Sequence, residues 1–454
     1  MVIKEFMKKN YILLVIIFFF GCDIFDANNS VINEKVYVAL QGKDQVGIVD
    51  IDSGDIQFIN IDYDIASCSS IESKTDCENL AGCDWMNMGG MSHCMNSDND
   101  CINLSESECG DDNHCEWMNM GSISSHCMEK GSMMDMGRHT PHFIAIDKVN
   151  RYWFVTTINS GYVGRYNLDT DEFIDNIKVG DSPALMAVDD VSKKIYVSRM
   201  MPMAGMMTGA ISTVIQEINY TGDGMVLGSE FIIDSPAPHG IDINQERDEV
   251  FVASNTADFI YKLDIKNNNI SSASMDSLVN ISPNTETKRL KPIQCLSLED
   301  SLLVITCSGG YSYNSFSGLN DTIYGQVQLW DTKSMSIIDT LQFDWNSSPW
   351  HLVASNIDRE FYVTLAGDNL YKGSAGVACI NYENKTLSLK WEKKIDAYEI
   401  LHGIDVSNNH DNIYVSGRGD GNLHILNKNN GSLRKSISLG IGALAGGIKA
   451  ISLE

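Results

Sequence analysis

The sequence predicts an all-β chain, a seven-bladed β-propeller whose closing blade is split between the two chain ends, carrying a small disulfide-rich insert. Two repeats and one join carry that expectation. The first repeat is a strand motif: "VYVALQ" from Val36, "YWFVTTIN" from Tyr152, "KIYVSRM" from Lys194, "EVFVASN" from Glu249, "EFYVTLA" from Glu360 and "NIYVSGR" from Asn412, with a degenerate copy, "LLVITCSG", from Leu302. Short runs of β-branched and aromatic residues alternating with others read as strands. A second strand and a polar turn stand before most of them ("FIAIDKVNR", "LMAVDDVSK", "GIDINQERD"), and a third strand follows ("VGRYNLD", "FIYKLDI", "LHILNK"). Four antiparallel strands in a unit of about 42 to 57 residues make a propeller blade. Six blades run from His142 onward. The seventh takes its inner strand from "GGIKAISL" at the C-terminus and its other three from residues 36–62. That join pairs strand edges that would otherwise lie open.

The remaining segments are ordered around the ring. Residues 1–21 read as a secretory leader: Lys4, Lys8 and Lys9 precede the apolar run Tyr11 to Phe20, which is too short to span a bilayer as a helix. Gly21-Cys22 closes it in a pattern that resembles the lipobox of bacterial lipoproteins, which implies lipidation at Cys22 and a lipid-held chain in the cell envelope, periplasmic or at the outer surface. Residues 22–35 are a linker, 36–63 hold three strands of the closing blade, 64–137 form the insert, and 138–454 supply the other blades, with 445–453 completing the closing one.

The insert is the second repeat. "CSSIESKTDCENLAGCDWMNMGGMSHCM" holds Cys68, Cys77, Cys83 and Cys94, and "CINLSESECGDDNHCEWMNMGSISSHCM" holds Cys101, Cys109, Cys115 and Cys127. Four cysteines in a unit too small to bury a core suggest two disulfides per copy, of a connectivity the spacing leaves open. The copies resemble the small structural modules of the plexin-repeat type. Their place between two blades puts them over one face of the ring as a cap.

The formal net charge is −27, which repels nucleic acid and anionic lipid surfaces. No phosphate-cradling glycine loop, serine elbow, HExxH pair or CxxCH site occurs. The chain therefore reads as a monomeric binder rather than an enzyme.

The "YVT/YVS" strands and the "PHGIDI" opening resemble the YVTN-repeat, or YncE-like, seven-bladed propellers over about 350 residues. That resemblance implies the fold and leaves the function open. Aligned on their inner strands, the blades place His142, Ala184, His239, Gln294, His351, His402 and Gly446 at one position. Four histidines at one depth would face the central channel, with His139 beside them. Methionine-rich stretches near that face offer soft ligands: Met133, Met134 and Met136 in "SMMDMGRH", and Met203 and Met206 in "RMMPMAGMM". Thioethers with imidazoles are a copper-binding combination. The arrangement is also similar to the propeller of nitrous-oxide reductase, with four or five candidate histidines in place of that family's seven, and its activity is not expected. Two readings follow. In the first, the capped face binds an envelope protein, a glycan or a small ligand. In the second, His142, His239, His351 and His402, with His139 near, hold copper.

Overall fold

The computed structural model describes residues 33–63, 74, 83–88, 91–96, 115–118, 126–129, 139–180, 182–200, 213–235, 237–255, 257–275, 289–299, 301–314, 319–355, 359–394, 400–407 and 410–453. The leader, Cys22, the five candidate methionines, and Cys68, Cys77, Cys101 and Cys109 lie outside them. For Cys83, Cys94, Cys115 and Cys127 only the backbone is described.

Seven four-stranded antiparallel sheets make up the propeller. Six follow the chain in order from their inner strands, Pro141–Asp147, Pro183–Asp189, Pro238–Asn244, Pro292–Leu298, Pro349–Ala354 and Leu401–Val406. In the seventh, the C-terminal strand Ala445–Leu453 pairs antiparallel with Asn33–Leu40, matching Tyr37 with Lys449 and Val38 with Ile448. The expected split closure is therefore present.

Burial falls from the axis outward, and this explains the sequence pattern. In the blade that starts at Pro141 the first three strands are almost wholly buried, while the outermost, Phe173–Lys178, is half exposed. Strands covered on both faces need apolar residues almost continuously. The "YVS"-type strands provide them, and their side chains cluster between neighbouring blades. Phe154, Tyr196 and Val250 share one cluster across three blades. Tyr37, Trp153 and Tyr166 share another across the seam. There the Trp153 and Tyr166 rings stack with centroids 3.9 Å apart. Burying one such ring contributes about 2–3 kcal/mol.

The seam is also latched by a polar contact. The fully buried Glu34 carboxylate accepts hydrogen bonds from Ser407 Oγ at 2.7 and 2.8 Å, Tyr414 Oη at 2.5 Å and Ser452 Oγ at 3.3 Å. These donors come from the last blade and the closing strand, so one side chain joins the chain's beginning to its end.

The two insert copies show the same backbone register. Cys83–Met88 pairs with Met91–Asn96, setting Trp85 opposite Cys94, and Cys115–Met118 pairs with His126–Glu129, setting Trp117 opposite Cys127. The duplication read in the sequence thus recurs as two matching hairpins. The roots of the insert meet at the ring, where Tyr63 lies edge-on to His139 with centroids 5.3 Å apart.

Candidate functional site

Six of the seven inner strands start in the same unusual way. Thr140, Ser182, Ala237, Lys291 and Ser348 have φ between 45° and 53°, and each stands directly before the strand's first proline. Leu444, before Ala445, has φ 46°. Left-handed backbone costs a non-glycine residue on the order of 1 kcal/mol. Near its start every inner strand changes register, between Pro141 and Phe143, Pro183 and Met186, Pro238 and Gly240, Pro292 and Gln294, Pro349 and Leu352, and Leu401 and Ile404. The closing strand does so opposite Val38–Leu40. Such β-bulges re-aim side chains.

A belt of hydroxyls then ties five of the seven blades to the next. Thr156 Oγ1 donates to the Ala184 carbonyl at 2.8 Å, Ser198 Oγ to His239 at 2.7 Å, Thr306 Oγ1 to Trp350 at 2.5 Å, Thr364 Oγ1 to His402 at 2.9 Å and Ser416 Oγ to Gly446 at 2.5 Å. These are the Thr and Ser of the "YVT/YVS" repeat. Each also accepts from its own inner strand, from the backbone N–H of Phe143, Leu185, Gln294, His351 and Gly403.

Belt and bulge together correct the expected ring. The equivalent residues of the mouth tier are His142, Ala184, His239, Ile293, Trp350, His402 and Gly446. His351 and Gln294 stand one residue further along. Aligning on histidine in "PWH" shifted that blade by one; aligning on the proline sets Trp350 in place. Three histidines, not four, occupy one position.

The side chains of this tier form a closed circuit. Ring centroids are 6.1 Å apart for His142–His239, 6.4 Å for His239–Trp350, 5.8 Å for Trp350–His402 and 5.4 Å for His402–His142. His351 flanks it, 4.7 Å from His402 and 6.1 Å from Phe143. The four histidines are only 2–6% exposed. His139 turns away to Tyr63 and to Ser160 Oγ, 3.0 Å from its Nδ1.

Burial pushes all four imidazoles down. His351 falls to about 3, with help from His239 and Lys449. His142 and His402 fall well below the ordinary range, and Arg418 adds to the effect at both. His239 is lowered less, because the Ile293 carbonyl opposes burial. All four are therefore neutral at pH 7.

Two of the tautomers follow from fixed partners. Arg418 Nη1 donates to Gln41 Oε1, so Gln41 turns its amide N–H to His142 Nδ1. The proton of His142 is then on Nε2. His239 Nδ1 donates to the Ile293 carbonyl at 2.7 Å, leaving Nε2 as a lone pair. Four buried atoms here lack a hydrogen-bond partner: His142 Nε2, Trp350 Nε1, His351 Nε2 and His402 Nδ1.

Among the described residues, no group of three or more His, Cys, Asp or Glu side chains is arranged to hold a metal ion. The width of the circuit gives the reason. Sides near 6 Å put a central atom about 3 Å from an inward imidazole nitrogen, a hydrogen-bond distance. A metal–imidazole bond is about 2 Å.

Further down the same strands, a cavity of about 450 Å³ is lined by all seven inner strands. Most of its lining residues are apolar, although polar atoms make up nearly half of the exposed wall, and a second tier three residues below the first brings in Asp242, Asp405 and Lys449. Asp242 Oδ2 accepts from Ser297 N at 2.6 Å, and Asp405 Oδ2 accepts from Ala450 N at 2.7 Å. Lys449 Nζ lies 3.9 Å from Asp405 Oδ1. Burial pushes the Asp242 carboxyl up to about 6 and raises that of Asp405. The sequence reading missed this tier, although "HGID" occurs twice with an acid three residues after the histidine. It also missed Gln41, Trp350 and Arg418.

Of the other cysteines, Cys295, Cys307 and Cys379 are free and buried. Burial raises all three thiols, that of Cys379 to about 12.

No family model and no curated protein matches the chain, so neither the YVTN-type resemblance nor that to nitrous-oxide reductase gains a family match. Solved structures share its architecture. Kuenenia stuttgartiensis hydrazine synthase is 14% identical with a TM-score of 0.51, over 66% of this chain and 87% of that one. The β-propeller domain of Myceliophteria thermophila Cps50 (Swd1) is 10% identical with a TM-score of 0.49, over 65% and 85%. At these identities the likeness is one of fold, and the fold of this chain is an all-β, seven-bladed β-propeller.

Proposed function

We propose that this chain is a lipid-anchored envelope protein whose propeller is a binding module, with the axial channel as the seat of a small ligand. The observation that carries the reading is the cavity lined by all seven inner strands, with a few charged groups set among mostly apolar side chains and a wall about half polar in surface. That combination typifies small-molecule sites. The lipobox-like Gly21-Cys22 supports the anchor. The matching Trp-opposite-Cys hairpins support a disulfide-stapled, duplicated cap, and the contact between Tyr63 and His139 roots it at the histidine mouth.

A thermal-shift screen of small metabolites against the mature chain and an Asp242→Asn/Lys449→Met variant tests the reading. It expects compounds that stabilise the first and not the second. If no compound separates the two proteins, the cavity is not a ligand site. Membrane fractionation tests the anchor: Cys22→Ser should release the chain, and retention in the membrane would contradict lipidation.

Copper at the histidine tier is a second reading. It is favoured by the neutral imidazoles and the free lone pair of His239 Nε2, and it requires the rings to draw in by about 1 Å. Metal analysis of protein made with copper decides it. Near-stoichiometric copper that is lost in His239→Ala would support it, and less than about 0.2 copper per chain would remove it.

A further inference from the structure

We propose that the circuit of His142, His239, Trp350 and His402 binds one hydroxyl of a small oxyanion that keeps a proton, of the hydrogenphosphate or hydrogencarbonate class. This rests on the reading that the channel is the ligand seat and names what its histidine end takes.

Donor and acceptor roles around the circuit are uneven. Trp350 Nε1–H can only donate, and it is buried without a partner. His142 Nε2–H is likewise a buried, unpartnered donor, held in that tautomer by Gln41 and Arg418. His239 Nε2 is an acceptor, because its other nitrogen is committed to the Ile293 carbonyl. His402 adds a further unpartnered nitrogen, Nδ1. A group at the centre must therefore accept from two sides and donate to a third. A hydroxyl does this. A bare acceptor such as nitrate does not, and a metal ion cannot accept a hydrogen bond.

The spacing agrees. For imidazole nitrogens turned inward, sides near 6 Å set one oxygen at the centre about 3 Å away, a hydrogen-bond distance.

Charge selects the rest of the ligand. The partly buried Arg418 has no carboxylate partner among the described residues; its side chain is held by Gln41 Oε1. In a chain of net charge −27 this cation lies behind the circuit and is felt at both His142 and His402. A partly buried cation with no carboxylate partner among the described residues, beside neutral donors, favours an anion.

Calorimetric titration of the mature chain with sodium hydrogenphosphate, sodium hydrogencarbonate and sodium nitrate, at ionic strength fixed with sodium chloride, tests the proposal. The expected result is saturable one-to-one binding of at least one protonated oxyanion, at least about ten-fold tighter than nitrate. Trp350→Phe keeps the ring and removes the N–H, and Arg418→Met keeps the stem and removes the charge. Each should weaken that binding about ten-fold while leaving the circular dichroism unchanged. Asp242→Asn, in the second tier, should leave it unaltered, so that failure of the lower cavity as a ligand site is read separately.

Three results would overturn the proposal: no saturable binding to the folded wild type, which leaves the circuit to water; equal affinity for nitrate; or affinity unchanged in both Trp350→Phe and Arg418→Met. Stoichiometric copper in place of oxyanion would overturn it in favour of a metal.

Discussion

The two tiers of the channel are built on the same seven strands, three residues apart, yet they are electrostatic opposites. The mouth tier is neutral and aromatic, with the Arg418 cation behind Gln41. The lower tier sets two carboxylates and a lysine among mostly apolar side chains. The ring fold treats both alike, so the difference lies in which residues the repeats place there. It teaches that the backbone supplies positions, through bulge, left-handed residue and hydroxyl belt, while a few side chains decide the chemistry.

The largest expected effect removes the ring that makes the tiers comparable. Glu34→Ala leaves the Tyr414, Ser407 and Ser452 hydroxyls without their acceptor. It should cost about 3 kcal/mol or more in urea unfolding. Wild-type stability would show that the seam is latched by packing alone.

Next come the opposed pH dependences. The Asp242 carboxyl is raised to about 6, above its unfolded value near 3.9. The stability it contributes is full below the unfolded value and is lost as pH rises through about 6. Asp242→Asn should therefore stabilise the protein by about 2 kcal/mol at pH 8, with the gain vanishing below pH 4. His351 is lowered to about 3, from an unfolded value near 6.5. The unfolded chain takes up that proton first, so stability falls as pH drops below about 6.5 towards 3. His351→Asn should flatten this limb. Urea midpoints between pH 4 and 8 check both, and parallel curves for wild type and variants would erase the contrast.

Much of the fold was legible because the blades repeat. Strands buried on both faces must be apolar nearly throughout, and variants of one short strand motif announce them seven times, once in degenerate form. The site was legible only in part. His142, His239 and His402 follow a proline or its equivalent and were found. His351 was placed one position out of phase, because that blade was aligned on its histidine and not on Pro349, where the bulge begins. Gln41 and Arg418 are 377 residues apart and meet only through ring closure. Asp242 and Asp405 stood in plain view in "HGID", but their shared depth becomes meaningful only once both tiers face one channel.

A smaller effect should come from the belt. Thr364→Val removes the hydroxyl between His351 N and the His402 carbonyl. About 1–2 kcal/mol of stability should be lost, with oxyanion affinity reduced as His402 loosens. Two blades have Ala39 and Ala253 at this place, so unchanged stability would mean the belt is dispensable everywhere. The smallest effect belongs to His139. It faces Tyr63 and Ser160, and His139→Ala should change oxyanion or copper affinity less than two-fold in titration. A larger change would return it to the site.

The most direct test of the mouth tier is the protonation of its histidines. In long-range proton–nitrogen spectra of the protein with 15N-labelled histidine at pH 7.5, assigned by single substitutions, His142 should be the neutral Nε2–H form and His239 the neutral Nδ1–H form. Imidazolium signals at either residue, or the same tautomer at both, would contradict the account.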